Sequence, residues 1–386
     1  MTINFTKPVI VLVSLFALSC ATITKNNAAI SASNFYTQSH ANRLAAEWEP
    51  ALGAMIVWPL SIPHKLVIEL AKDNQLLVTL VENETSKNEA VKWYQKWGIE
   101  PAKTKFIYAP QGIDAWWVRD WGPGAVFSPD KKMKLADGKY IYSTPATSNT
   151  CTDTLTFWDQ VRDNKVIKTQ TDDQVTVFIG KQLNLEVLDL PFINTGGNVL
   201  TDGLGTSFST CILTNENRFY GISDEKFLKL NKALLGIKQY NILSNFEKEG
   251  IQHIDCYMKL LDEERILVME PPKDHELYKI YQDIIQNELS RLKSPYGRPY
   301  TILRMQTKRY KNERLAAYVN AIIINKTVYV PLFKIEEDKT ALQRWQEVMP
   351  GYTIKGFEFD LNEEPLLSKE MKNHYQSNYG WNHGDA

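Results

Sequence analysis

His253 and Asp255 stand two residues apart in an apolar run that continues through Cys256, Met258 and Leu260. In an extended strand, residues i and i+2 share a face. A strand over 251–260 therefore presents imidazole and carboxylate together, with Ile254 and Cys256 turned the other way. Such a pair can take and give protons. A core histidine held by a polar neighbour, or a fragment of a metal site, would show the same pattern. Zinc requires three or four ligands, and no other His, Cys or Asp cluster has ligand spacing, so no metal or cofactor is expected. A second carboxylate, Asp120, lies in Trp116-Trp117-Val118-Arg119-Asp120-Trp121-Gly122-Pro123. Gly122 and Pro123 mark a turn, placing Asp120 near the end of an element. A carboxylate bracketed by tryptophans suits a delocalised cation, through paired hydrogen bonds and cation–π attraction. The plainer alternative is an Arg119–Asp120 ion pair with the tryptophans in the core. Adjacent side chains diverge in extended backbone, which counts against it. A third segment runs from Thr195 through Gly196, Gly197 and Asn198 to Thr201-Asp202-Gly203. Its glycines permit close approach of backbone to a ligand, or serve only a tight turn.

These residues need a scaffold. From Asn42 onward, short apolar segments alternate with amphipathic ones. Strands are expected at 54–59, 76–81, 105–108, 175–179, 251–260, 265–269, 317–324 and 327–331. Helices are expected near 64–72 and 88–97, and the longest over 274–292. There Leu277, Ile280, Tyr281, Ile284, Ile285 and Leu289 recur at helical spacing. The alternation reads as α/β. Gly196-Gly197 lacks the third glycine of a dinucleotide fingerprint, and no P-loop, Cys-x-x-Cys or His-Glu-x-x-His occurs. No linker rich in Pro, Gly or Ser divides 41–386, so one domain is expected there.

Charge is balanced, 44 basic against 45 acidic residues, and no basic stripe argues for nucleic acid as a partner. The N-terminus differs in kind. Residues 8–18 form an apolar run shorter than the ~20 residues that span a bilayer. Residues 1–19 therefore read as an export signal. Phe16-Ala17-Leu18-Ser19-Cys20 resembles a lipobox, which makes Cys20 the expected lipidation site, with an ordinary cleaved signal as the alternative. Residues 20–40 are small, polar and aperiodic, as a tether is. The expected setting is outside the cytoplasm: a membrane-anchored lipoprotein in the periplasm or on the cell surface, or a secreted protein. Lipidation of Cys20 leaves Cys151, Cys211 and Cys256, an odd number. A chain of this size needs no disulfide framework, so no structural disulfide is expected.

Taken in order, the motifs resemble the agmatine deiminase and bacterial-type peptidylarginine deiminase family. The resemblance runs from Ala46-Glu47-Trp48-Glu49-Pro50 and Val57-Trp58-Pro59 through the Trp117–Pro123, Gly196-Gly197-Asn198 and His253-Ile254-Asp255 segments. It ends at Tyr318-Val319-Asn320 with Val328-Tyr329-Val330-Pro331. His253-Ile254-Asp255-Cys256 leading into Lys259 is closer to the peptidylarginine branch. The resemblance implies a pentein, an α/β propeller of five strand-strand-helix-strand modules with pseudo-fivefold symmetry. It implies that Asp120 and Asp255 grip a guanidinium group while His253 moves protons. A cysteine thiolate attacks the guanidinium carbon, giving a ureido product and ammonia. Trp117, Asn320, Gly197 and Asn198 are the implied substrate-binding positions.

Two departures shape the expectation. The family's cysteine lies near the C-terminus in a His-Cys-(Arg or Ile)-Thr run, and this chain reaches Tyr379-Gly380-Trp381-Asn382-His383-Gly384-Asp385-Ala386 without it. The expectation is a domain truncated before its nucleophile, so that the polypeptide binds without turnover. The alternative is a natural, inactive guanidinium-binding surface protein. In the peptidylarginine branch, arginines around the segment matching Tyr142-Ser143-Thr144-Pro145-Ala146 hold the substrate carboxylate, and this stretch has none. Arginine-containing peptides are the expected substrate. Agmatine, giving N-carbamoylputrescine, is the alternative.

Overall fold

The computed structural model describes residues 41–113, 117–140, 151, 170–247, 251–310, 314–359 and 366. All of them belong to one compact unit, His40–Ala386. The expected signal, the tether with Cys20, Trp116, residues 142–146 and the C-terminal tail lie outside the described residues.

A two-residue strand, β1 (Arg43–Leu44), opens the described chain. It is followed by β2 (Gly53–Val57), helix α1 (His64–Asp73), β3 (Leu76–Val81), helix α2 (Glu84–Lys96) and β4 (Thr104–Tyr108). Strands β2, β3 and β4 form a wholly parallel sheet. Parallel neighbours need a long crossover, which the two helices provide. Helix α1 buries Leu66, Val67, Leu70 and Ala71 on one stripe, and α2 starts where the Asn83 side chain accepts from the Ser86 amide at 3.0 Å.

The remaining sheets share a different plan. After the short helix α3 (Val118–Trp121) come β5 (Gly124–Phe127), β6 (Met133–Lys139), helix α4 (Val175–Leu183) and β7 (Glu186–Ile193). Strands β5 and β6 pair antiparallel, whereas β6 and β7 pair parallel across the helix; β1 joins the outer edge of β5. The plan repeats in β8 (Leu200–Thr201), β9 (Thr206–Thr210), helices α5 (Ile212–Phe219) and α6 (Asp224–Leu230), and β10 (Gln239–Leu243). It repeats again in β11 (Met258–Leu260), β12 (Arg265–Glu270), α7 (Tyr278–Asn287) and β13 (Thr301–Gln306). The last copy is β14 (Ile322–Ile324), β15 (Thr327–Leu332), α8 (Asp338–Val348) and β16 (Thr353–Glu358).

One consequence positions the site. Helix α3 and one-turn 3₁₀ helices at Gly196–Asn198 and Ile254–Cys256 each come just before the opening strand of a sheet, β5, β8 and β11. A hydrogen-bonded turn ending at Asn320 (Asn320 N to Ala317 O, 3.0 Å) does the same before β14. That turn is pinned from α8: Trp345 Nε1 donates to the Tyr318 carbonyl at 3.0 Å, and the Tyr318 hydroxyl donates to Asp338 at 2.7 Å.

The structure corrects four expected elements. Residues 251–260 are not one strand. Gln252 adopts φ +58°, outside extended backbone, and only Met258–Leu260 pair as β. Residues 175–179, though β-branched, form the start of α4, which turns Val175, Thr176 and Ile179 inward; packing of one face overrides β propensity. The expected helix over 274–292 is shorter, Tyr278–Asn287 followed by a 3₁₀ turn, Leu289–Arg291. At 13 residues α2 is the longest helix among the described residues. In place of a strand over 317–324, only Ile322–Ile324 pair.

The expectation of no structural disulfide is also overturned. Cys151 and Cys211 are bonded, with Cα atoms 5.2 Å apart across 60 residues of sequence. Cys211 is the residue before α5 and is fully buried. Closing a loop of that length restricts the unfolded chain. Cys211→Ser is expected to lower stability by ~2–4 kcal/mol, read as a drop in denaturant midpoint that dithiothreitol reproduces in the parent protein.

Candidate active site

Four of the expected residues meet at one place. The imidazole Nδ1 of His253 lies 3.3 Å from Asp120 Oδ1. Gly197 locates the third group. A Cβ added there would fall 2.4 Å from Asp120 Oδ1, 3.0 Å from His253 Nδ1 and 3.1 Å from Asp255 Oδ2. Two carboxylates and an imidazole thus converge on a backbone that only glycine leaves room for. Gly196 is needed for the neighbouring reason, since its Cβ would sit 2.1 Å from the Arg119 carbonyl oxygen. Asp120, His253 and Asp255 are each 5% exposed.

Local structure explains the convergence. Asp120 is the third residue of α3, which Gly122 ends by donating its amide to Val118 O at 2.7 Å. His253 is extended and precedes the 3₁₀ turn that carries Asp255. In a turn, residues i and i+2 do not share a face as they do in a strand, yet both side chains reach the same point. Asn198 fixes the approach. Its Oδ1 accepts from the amides of Ile254 and Thr210, both at 3.0 Å, and the Thr210 hydroxyl donates to the Gln252 carbonyl at 2.7 Å. Asn198 is fully buried, so it ties the third sheet to the His253 turn where water cannot substitute.

Burial and charge compete here. Burial works against a charged imidazole, but the Asp120 carboxylate and then Asp255 outweigh it and raise His253 to about 9. Glu216 of α5, 1% exposed, acts on His253 in the same direction. Burial lifts Asp255 to about 6, against the opposing pull of His253 and Arg119. Near neutral pH the site holds a protonated imidazole beside carboxylates, an arrangement able to donate a proton.

Trp117 stands immediately before α3 and lines, with Ala54, Met55, Ser61, Val118 and Ile322, an apolar cavity of about 200 Å³. Asn320 is buried, and its Nδ2 lies 3.9 Å from Cys256 Sγ. Cys256 belongs to the hydrophobic core. No thiol is therefore placed among the converging groups: of the described cysteines, Cys151 and Cys211 are bonded and Cys256 faces the core.

Sequence reasoning assigned no role to a second charged cluster. Arg119 does not pair with Asp120; its Nη2 meets Glu47 Oε1 at 3.2 Å. Lys259 Nζ meets Glu47 Oε2 at 3.1 Å, and the Ile323 amide donates to Glu47 Oε1 at 3.0 Å. Burial opposes charge on Glu47, but Lys259 and Arg119 pull it down to about 2. The available signal was a lysine between Met258 and Leu260, where an unpaired ammonium would be costly.

The packing around Gly197 yields a test. Gly197→Ala forces the Asp120 carboxylate or the His253 ring to shift, so guanidine affinity should fall on the order of 100-fold, while the thermal midpoint should move by only a few degrees. Calorimetric titration with agmatine, beside a thermal melt, measures both.

The sequence pattern of the Porphyromonas-type peptidyl-arginine deiminases matches residues 43–361. A Mycoplasma mycoides protein named "Putative agmatine deiminase" is 22% identical over 266 residues, covering 62% of this chain and 68% of that protein. The agmatine deiminase of Enterococcus faecalis superposes with a TM-score of 0.63 at 19% identity, over 82% of this chain and 91% of that one. A cysteine-to-serine variant of the C. jejuni agmatine deiminase, solved with substrate bound, gives 0.62 at 18% identity, over 87% and 96%. The fold shared with these structures is the mixed α/β fold of the penteins. This chain belongs to the Porphyromonas-type peptidyl-arginine deiminase family and, with it, to the hydrolases that act on guanidino C–N bonds.

Proposed function

We propose that the chain converts the guanidinium group of peptidyl-arginine to a ureido group and ammonia, with Asp120 and Asp255 gripping the planar cation and His253 carrying protons. The observation that carries this reading is the convergence of both carboxylates and the imidazole, carried by the opening turns of two sheets, on Gly197 in the opening turn of a third. Two carboxylates offer paired acceptors to a fork of N–H donors. Aligning the five sheets as modules about a pseudo-fivefold axis accounts for equivalent turns supplying the site.

In the proposed reaction a cysteine thiolate bonds to the guanidinium carbon. The C–N bond to the leaving nitrogen breaks, and the His253 imidazolium gives that nitrogen its proton, releasing ammonia. Water then adds to the same carbon, passes a proton to His253 and expels the thiolate, leaving the ureido oxygen. Among the described cysteines, Cys151 and Cys211 are bonded and Cys256 faces the core, so none of the three is assigned this role. Ammonia release from benzoyl-arginine amide, compared between the parent protein and His253→Ala, tests the proton-carrying role of His253. A fall on the order of 100-fold or more is expected, and unchanged turnover would refute it. Binding without turnover by the parent would instead favour a guanidinium-capturing surface protein.

Agmatine is the second reading. It is favoured by the names of the relatives and by the lack of arginine over 142–146. Benzoyl-arginine amide, arginine-terminated peptides and agmatine, assayed side by side for citrulline or N-carbamoylputrescine, separate the two. The proposed setting is extracytoplasmic, with Cys20 as lipid anchor. The Cys151–Cys211 bridge supports export, since such bonds persist in oxidising compartments. Radiolabelled palmitate incorporation lost in Cys20→Ala is the expected outcome.

The pH dependence follows from the site's charges. Guanidinium binding should weaken as pH falls through about 6, where Asp255 takes up a proton. Above about 9 His253 loses its proton and the pocket becomes more negative, so binding of the cation should persist there. Turnover should fall on both sides, because ammonia departure needs the imidazolium. Calorimetry and initial rates across pH 5–10 read the two curves, and an alkaline limb in binding would contradict the assignment.

A further inference from the structure

We propose that the outer edge of β2 receives a peptide substrate as an added strand, so that the protein favours an arginine followed, three or four residues on, by apolar side chains. The inference rests on reading Asp120 and Asp255 as the guanidinium acceptors, and it names the class of peptide that their site takes.

Strand β2 pairs parallel with β3 across helix α1. In the same way β6 pairs with β7, β9 with β10, β12 with β13 and β15 with β16. In those four sheets the other flank of the strand is taken by an antiparallel neighbour, β5, β8, β11 or β14. On β2 that flank has no partner strand among the described residues. The backbone donors and acceptors of an unpaired edge are a template for an extended peptide. The space beside this edge is apolar. Ala54, Met55, Ile56 and Val57 all line the cavity of about 200 Å³. Successive side chains of a strand alternate between its faces, so a space that touches all four runs along the strand's edge. Ile322 and Ile324 of β14 also line it, as do Trp117 and Val118, which lead to Asp120 in the same turn of helix. Such a lining gains from burying aliphatic side chains. The neighbouring sheets set the direction. Strand β5 begins at Gly124, four residues after Asp120; β8 begins at Leu200, three after Gly197; β11 begins at Met258, three after Asp255. A peptide strand antiparallel to β2 takes the corresponding place in the first sheet. A residue three or four positions before its paired part then falls at the centre, where Asp120 and Asp255 meet a guanidinium. The residues that follow pair with β2 and turn apolar side chains into the cavity. Agmatine carries no such residues and engages the charged centre alone.

The test is calorimetric titration of the 386-residue protein with agmatine and with acetylated peptide amides of three sequences: Arg-Gly-Ser-Val-Leu, Arg-Gly-Ser-Gly-Ser and the reversed order Leu-Val-Ser-Gly-Arg. The Val-Leu peptide is expected to bind about tenfold more tightly than its Gly-Ser counterpart, and the reversed peptide should show no such gain. In Ala54→Leu, whose longer side chain enters the cavity, the ratio of the first two affinities should shrink below about threefold. The ratio is the readout, so a general loss of affinity in the variant cancels. Equal affinities of the first two peptides for the parent overturn the proposal and show the edge to be covered by something else. So does an equal gain from the reversed peptide, or an undiminished ratio in the folded variant. If Ala54→Leu fails to melt cooperatively, the three peptides on the parent decide alone. Agmatine separates the two readings: absence of agmatine binding by the parent refutes the guanidinium site itself, whereas agmatine bound without any peptide preference overturns the strand site only.

Discussion

The contact between His253 Nδ1 and Asp120 Oδ1, 3.3 Å long and almost fully buried, is the constraint on which the site depends. Burying an imidazolium and two carboxylates costs several kcal/mol per charge unless each finds a partner. Every surrounding feature serves that requirement. Gly196 and Gly197 admit backbone where a side chain would collide with α3 or with the charged groups. Asn198 satisfies the amides of Ile254 and Thr210, so the turn carrying Asp255 is held without spending a charged group on it. Glu47, Arg119 and Lys259 form a second charged cluster.

The fold makes this possible by repetition. Four sheets each begin with an antiparallel pair and close through a helical crossover onto a parallel strand, and the turns before three of the opening strands deliver the parts of the centre. Asp120, Gly197 with Asn198, and Asp255 come from those three turns. None of these turns could bury its polar groups alone. Each is stabilised by contacts with the others, as when Ile254 donates to Asn198 across 56 residues of sequence. The arrangement is one in which a cation can replace lost solvation at the centre, and guanidinium matches it in charge and planarity.

Much of this was legible in the sequence, and the misses have physical causes. Strand 76–81 is a bounded run of apolar residues and emerged as read. Asp120, His253, Asp255, Gly197 and Asn198 were identifiable because their motifs occur in order, and they do converge. The strand assigned to 251–260 failed because Ile254 and Cys256 are buried within a turn, where an apolar pattern is the same for a strand and a buried turn. Helix α4 was concealed by β-branched Val175, Thr176 and Val177, whose choice was decided by what one face packs against. Arg119 was weighed against its neighbour Asp120, whereas its partner Glu47 is 72 residues away. The Lys259–Glu47 pair spans 212 residues, and Cys151 and Cys211 are 60 apart. Pairings of that kind are set by topology, and no local spacing encodes them.

The central claim is that Asp120 and Asp255 together receive a guanidinium group. A crystal structure of the protein soaked with agmatine tests it most directly. The account predicts a planar guanidinium with N–H groups within about 3 Å of both carboxylates, one face toward His253. A guanidinium found elsewhere, or one carboxylate left without a contact to it, would contradict the account.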